Sequence, residues 1–301
     1  MADNTEIEWC DRTFNPWEGC TKISPACDNC YAAERAARYK TVEWGGPRRR
    51  TSKSNWNKPL KWERQASTFA FEEGRRQRVF CASLADVFDN QVPEEWRADL
   101  WDLIRACPSL DWLLLTKRPQ NIEKMLPEFW DEIKGRIWLG TTVENQEVAE
   151  RNIPHLLKHD SAVRFLSMEP LLGPVNLDIC NGYYFYNFLL GVKYHDPPGG
   201  AYGASEQGHK IDWVIVGGES GRNARPSNLE WIISLRDQCR RSWTPFLFKQ
   251  WGEWAPASYH MPLDPKLNLD GLTRSIRVGK KKAGRYLEGL EHTEFPNVER
   301  L

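Results

Sequence analysis

The feature that most constrains this chain is a series of short apolar runs, each followed by polar residues and, in most cases, a helical stretch. Val79-Phe80-Cys81-Ala82-Ser83 leads to Asp86 and an amphipathic helix over 93–106. Trp112-Leu113-Leu114-Leu115-Thr116 leads to Lys117-Arg118-Pro119 and a helix near 121–126. Ile137-Trp138-Leu139-Gly140 leads to Thr141-Thr142-Val143-Glu144-Asn145 and a helix over 146–157. Val163-Arg164-Phe165-Leu166-Ser167 leads to Met168-Glu169-Pro170. Trp213-Val214-Ile215-Val216 leads to Gly217-Gly218-Glu219-Ser220-Gly221 and a helix near 228–242, and Pro245-Phe246-Leu247-Phe248 leads to Lys249-Gln250-Trp251-Gly252. Unbroken apolar strands alternating with helices belong to a parallel sheet buried on both faces. With a further short strand in residues 7–19, the expected class is α/β, with six to seven parallel strands.

Such a sheet is either doubly wound or a partial or full (β/α) barrel. Ligand sites sit at the C-terminal strand ends in both. A doubly wound sheet concentrates polar ends beside its switch point, whereas here every run ends in charged or hydroxyl groups, which favours the barrel. The expected organisation is a barrel over 1–254 with an insertion near 180–210 (Tyr183-Tyr184-Phe185-Tyr186, Pro197-Pro198-Gly199-Gly200), then a cap or tail over 255–301 read as a β-ribbon or irregular.

The 301 residues carry 41 basic and 41 acidic side chains, so no global field draws the chain to nucleic acid or membrane. The densest basic stretch, 47–64, holds Arg48, Arg49, Arg50, Lys53, Lys58, Lys61 and Arg64 against Glu63 alone, interleaved with Trp56 and Trp62. It reads as a long surface loop, either a solvated face or a surface for nucleic acid. No apolar run approaches the roughly 18–20 residues of a membrane helix, and the polar, acidic start is unlike a signal peptide. A soluble cytoplasmic protein is expected. In that setting eight cysteines point to metal binding or redox chemistry rather than to a disulfide framework.

Three of these cysteines, Cys20, Cys27 and Cys30, fall in one loop at C-x6-C-x2-C spacing, ahead of an alanine-rich helix over 31–39. Close thiols converge on one metal centre, and both tetrahedral zinc and a fully protein-ligated iron–sulfur cluster want four ligands. Two readings follow: a zinc knuckle completed by Cys10 or a distant His, or a three-thiolate 4Fe–4S cluster whose fourth iron is open.

Three cysteines after the first strand of a partial (β/α) barrel, then an aromatic and a helix, resemble the radical S-adenosylmethionine (SAM) enzymes. The Cys27-x-x-Cys30-Tyr31 ending is similar to the spore photoproduct lyase branch. Their commonest spacing is C-x3-C-x2-C; here the first gap holds six residues. The set Asn15-Pro16-Trp17-x-Gly19-Cys20, Cys27-x-x-Cys30-Tyr31, Thr116-Lys117-Arg118-Pro119, Thr141-x-x-Glu144-Asn145 and Gly217-Gly218-Glu219-Ser220-Gly221 resembles the phage gene-product 37/gene-product 68 family over residues 6–254. The radical SAM resemblance implies that Cys20, Cys27 and Cys30 hold a 4Fe–4S cluster and that SAM is cleaved reductively to a 5′-deoxyadenosyl radical. It also implies an electron donor such as flavodoxin or ferredoxin and a nucleic acid or nucleotide as the molecule modified or repaired. By position, it assigns the SAM ammonium to Ser83 and Asp86, the SAM carboxylate or a substrate phosphate to Lys117 and Arg118, the ribose to Thr141, Thr142 and Glu144, and SAM or substrate to Glu219. Glu169 and Lys249, with Arg48, Arg49 and Arg50, are assigned to substrate. Thr141 and Glu144 also fit a helix capping box. The alternative function is a zinc-stapled, non-catalytic nucleic-acid-binding or phage accessory protein.

Overall fold

The computed structural model describes residues 5, 7–180, 184–195, 206–259 and 275–298. The apolar runs become β1 (Arg12–Phe14), β2 (Gln77–Cys81), β3 (Leu110–Thr116), β4 (Ile137–Thr142), β5 (Val163–Met168), β6 (Trp213–Gly217) and β7 (Phe246–Gln250). They lie in one sheet whose spatial order is the sequence order, β1 through β7. Their registered pairs are parallel. A doubly wound sheet reverses direction at a switch point. This order never reverses, so the α/β fold is the expected partial barrel. Two compact units share the chain, one of Met1–Thr141 with His159–Val163, the other of Thr142–Lys158 with Arg164–Leu301.

In the first unit, β2, β3 and β4 are buried almost throughout, as strands covered on both faces must be. Phe14 stands edge-on to Trp112 at 6.1 Å and to Trp56 at 5.7 Å. Helix α1 (Tyr31–Tyr39) follows the cysteine loop, and α2 (Glu94–Arg105) buries Leu100, Trp101, Leu103 and Ile104 at helical spacing.

The basic stretch differs from expectation. Instead of a loop it forms helices at Lys53–Trp56 and Lys58–Arg64. Ser52 caps the first, accepting from Asn55 N, and Pro59 sits in the first turn of the second, where proline costs no hydrogen bond. Trp62 is buried, Asn55 Nδ2 donates to Asn15 O, and Trp56 Nε1 donates to Pro16 O. These residues secure the chain just after β1.

In the second unit, β5 and β6 are wholly buried. Asn145 caps α3 (Gln146–Leu156), its side chain accepting from Val148 N at 3.0 Å, so the Thr141/Glu144 capping box does not form. Asn228 likewise caps α4 (Leu229–Arg241). The insertion forms a small antiparallel sheet from Asp178–Cys180, Tyr184–Asn187, Val192–His195 and Glu206–Gln207. Its central turn is set by Asn187 Oδ1, which accepts from Leu189 N and Leu190 N, and by Gly191 at φ +67°. Tyr183 and residues 197–200 lie outside the described residues. Trp254–Pro256 pairs antiparallel with Ser275–Arg277, and Thr293 bridges to Leu247 beside β7.

Candidate functional site

After β1 the chain turns through Asn15-Pro16 into the cysteine loop. Asn15, almost fully buried, links this turn to the end of β2: its Nδ2 donates to Ser83 Oγ, and its Oδ1 accepts from Leu84 N at 2.7 Å. Gly19 adopts φ +105° and donates to Leu84 O. The positive φ favours glycine, and a Cβ there would lie 3.3 Å from both the Arg48 and Val42 side chains, a tight fit. Cys20 O accepts from Gly45 N, Cys27 ends the short turn Pro25–Cys27, and Cys30 is the residue that starts α1. The next residue, Tyr31, donates its hydroxyl to Ser83 O at 2.5 Å.

All three thiols are free and half-buried. Among the described residues no group of three or more His, Cys, Asp or Glu side chains is gathered around a single ion position. Cys10 is buried before the start of β1, with its Sγ on Ile7 O, whereas the cysteine loop begins beyond the strand's other end.

The centre of the first unit's strand ends is Asp86. Its Oδ1 accepts from Phe88 N and Thr116 Oγ1, and its Oδ2 from Lys117 N and Arg118 Nη1. Four bonds fill the acceptor capacity of a carboxylate, so Asp86 is committed to the protein rather than open to a ligand's ammonium. Arg118, whose guanidinium reaches Asp86 at 3.0 Å, also donates Nη1 to Cys20 Sγ at 3.4 Å and Nη2 to Thr21 O at 3.0 Å. Burial works against the charge of Arg118, but Asp86 and Cys20 more than offset it and raise its pKa. Burial likewise pushes the Cys20 thiol up, aided by Asp86, with Arg118 pulling the other way.

A second buried pair braces the same loop. Arg48 holds Asp89 Oδ2 through Nε and Nη2, and Nη2 also reaches Thr21 Oγ1 at 2.7 Å. Arg49 pairs with Glu18, while Arg50 pairs with Asp99 and stacks on Trp56 at 4.3 Å. The three arginines read as substrate contacts are thus each matched to an acid. Asn15 and Thr116 stand in the sequence motifs without a site role, and Asp89 stands in none; the signal for Asp89 is its position three residues past Asp86. Thr141 is fully buried, its hydroxyl donating to Thr116 O.

In the second unit, Thr142 and Glu144 are buried, and Glu144 O accepts from Leu172 N. Glu219 is held by Arg225, which donates Nη2 to Oε1 at 2.6 Å and Nε and backbone N to Oε2. The glycine-rich turn has a packing reason. A Cβ on Gly218 would lie 1.9 Å from Trp251 O, and one on Gly252 2.1 Å from Glu219 O. The turn after β6 lies directly against the turn after β7, joined by Gly218 N to Gln250 O and Glu253 N to Glu219 O. Lys249 Nζ meets Glu169 Oε2 at 2.5 Å.

With the geometry described, comparison with known proteins places the chain. Residues 4–296 match the family model described as "Protein of unknown function (DUF5131)". The chain belongs to the DUF5131 family. No curated protein matches it. Two solved structures show weak similarity to this DUF5131 chain. One is a cysteine-to-serine variant of spore photoproduct lyase, with TM-score 0.37 and 12% identity over 80% of this chain and 76% of that one. The other is a doubly substituted spore photoproduct lyase with bound AdoMet and dinucleoside spore photoproduct, with TM-score 0.32 and 13% identity over 76% and 72%.

The donor set of the DUF5131 chain suits an iron–sulfur cluster. Soft thiolates are the protein's ligands to iron in such clusters. Three of them stand on one loop, and Cys10, the remaining cysteine of this N-terminal stretch, is at the wrong end of β1 to join them. No helix among the described residues is long and apolar enough to cross a membrane.

Proposed function

We propose that this DUF5131 chain is a radical SAM enzyme. One observation carries the reading: three free thiols share the loop beyond β1 with no fourth cysteine on it, and the first of them, Cys20, meets a buried arginine from the end of β3. A three-thiolate set leaves one iron of a 4Fe–4S cluster unligated by protein. Cys20, Cys27 and Cys30 would hold the cluster, and Ser83 and Lys117, just past the ends of β2 and β3, are the polar residues that would meet a bound SAM. Cluster and SAM, when bound, would supply radical chemistry: reductive cleavage of SAM to methionine and a 5′-deoxyadenosyl group able to take a hydrogen atom from a substrate. The chain's part is to fix the loop through Asp86 and Asp89, bury its entry and set the charge around it.

For the substrate we infer a nucleic acid or nucleotide. Its support lies on α1, where Tyr31 and Tyr39 are more than half exposed, and Arg35 stacks on Tyr39 at 5.1 Å. With Glu34 and Arg38 they line a cleft of about 470 Å³. Exposed rings and guanidinium groups are what stacked bases and phosphates take. Anaerobic purification tests the class: brown protein with about four irons per chain and reductive cleavage of SAM to 5′-deoxyadenosine is expected. Colourless protein with one bound zinc would overturn it.

A further inference from the structure

The geometry points to Arg118 as the residue that sets the reduction potential of the cluster held by Cys20. This rests on the radical SAM reading and deepens it, because position in the sequence assigns Arg118 to the SAM carboxylate or a substrate phosphate instead. Its guanidinium faces the cysteine loop. One N–H of Nη1 lies on Cys20 Sγ at 3.4 Å, while Nη2 reaches the neighbouring carbonyl, Thr21 O. The side chain is only 6% exposed, so its field on the sulfur is little screened by water.

Its orientation is fixed from behind. Asp86 Oδ2 accepts from Arg118 at 3.0 Å, Asp86 Oδ1 accepts from Thr116 Oγ1, and Thr116 Oγ1 accepts in turn from Arg118 N. Thr21 is held a second time by Arg48, which Asp89 anchors. Loop and guanidinium are therefore tied to each other at two adjacent residues, Cys20 and Thr21. An arginine fork is the donor suited to this, since it presents several N–H groups in one plane and stays charged.

Reducing a cluster adds one negative charge, shared onto its thiolate sulfurs. A hydrogen bond and a fixed cation at one of those sulfurs favour the reduced form, and hydrogen bonds to the sulfurs are a recognised lever on cluster potential. Asp86 opposes this with its own charge, but a substitution at Arg118 leaves Asp86 in place, so the change in potential reads the guanidinium and its N–H on the sulfur. Arg118 is thus a positioning and tuning residue, acting through Cys20 rather than on the substrate.

The test is a redox titration of the reconstituted holoprotein, followed by the EPR signal of the reduced cluster. Iron is counted first, and a wild-type protein that assembles no cluster sinks the radical SAM reading itself. With about four irons in each protein, Arg118→Gln should lower the ratio of reduced to oxidised cluster at least tenfold at a fixed potential, a shift of about 59 mV for one electron. Arg118→Lys keeps the charge that Asp86 needs and so protects the fold, but loses the fork. Its midpoint should fall between those of Gln and wild type. A folded, iron-loaded variant of either kind with the wild-type midpoint overturns the inference while leaving the class of enzyme intact.

Discussion

Lys249 and Glu169 form their 2.5 Å ion pair from β7 and β5, reaching across β6, and Gly217 at the end of β6 is what leaves them room. A Cβ on Gly217 would sit 3.1 Å from Glu169 Cγ. Gly217→Ala should therefore push the pair apart and cost about 1–2 kcal/mol, as modest overpacking does. Gly218→Ala meets the backbone carbonyl of Trp251 instead, which cannot rotate away, and should cost more than ~3 kcal/mol or prevent folding. Urea unfolding of both variants checks the order; equal losses would contradict it.

Arg48 and Arg50 are neighbours in sequence but not in energetics. Arg48 has a side chain with no exposed surface, bound to Asp89 and Thr21. Arg48→Ala leaves Asp89 charged and buried, and the expected loss is about 3–5 kcal/mol. Arg50 pairs with an Asp99 that is half exposed, so Arg50→Ala should cost no more than about 1 kcal/mol, including its stacking on Trp56. Thermal melts of the two proteins give the comparison directly.

Much of the fold was legible in the sequence because a doubly covered strand has to be apolar along its whole length, and Leu110–Thr116 or Trp213–Gly217 show this without further context. What was not legible depended on partners distant in sequence. Pro59 reads as punctuation until Trp56 and Asn55 are seen to bond the carbonyls of Pro16 and Asn15. The glycines after β6 read as part of a motif, but their nearest demand is the passing backbone of Trp251 and Gly252. Asp86 reads as a ligand group until its four donors are counted. Cys10 looks close to Cys20 along the chain, and only the strand between them shows that it is not.

Asp111 gives a pH signature. Burial pushes its carboxyl up to about 6, with Arg76, Arg78 and Arg75 pulling against the rise. An unfolded aspartate titrates near ~3.9. Because the folded value is the higher one, the folded state binds the proton more tightly. That stability is fully present below about 3.9 and is lost as pH rises through about 6, a change of roughly 3 kcal/mol at most. Asp111→Asn cannot lose it. The difference in unfolding free energy between the variant and wild type should move in the variant's favour from pH 4 to pH 7, and a pH-independent difference would contradict the assignment. Asp11, held below the usual range by Arg75 and Arg78 N despite burial, is common to both proteins and cancels in the comparison.

The cysteines separate by position. Ala replacements at Cys20, Cys27 and Cys30 should each abolish the iron content of the anaerobically isolated protein. Cys10→Ala should keep it, because Cys10 lies before β1, where its Sγ meets Ile7 O. Iron analysis and visible absorbance read this out, and loss of iron from the Cys10 variant would mean a closed, four-thiolate site.

The outer edge of β7 is already occupied. Phe248 N donates to His292 O, Glu294 N donates to Phe246 O, and Glu294 Oε2 accepts from Phe246 N. A parallel sheet that stopped at an uncovered Phe-Leu-Phe strand would offer a sticky template to any other extended chain. Residues 292–294 remove that template, so the solubility of the folded protein depends on three residues far along the sequence from the cysteines. Deleting them would uncover that edge for pairing with a second copy.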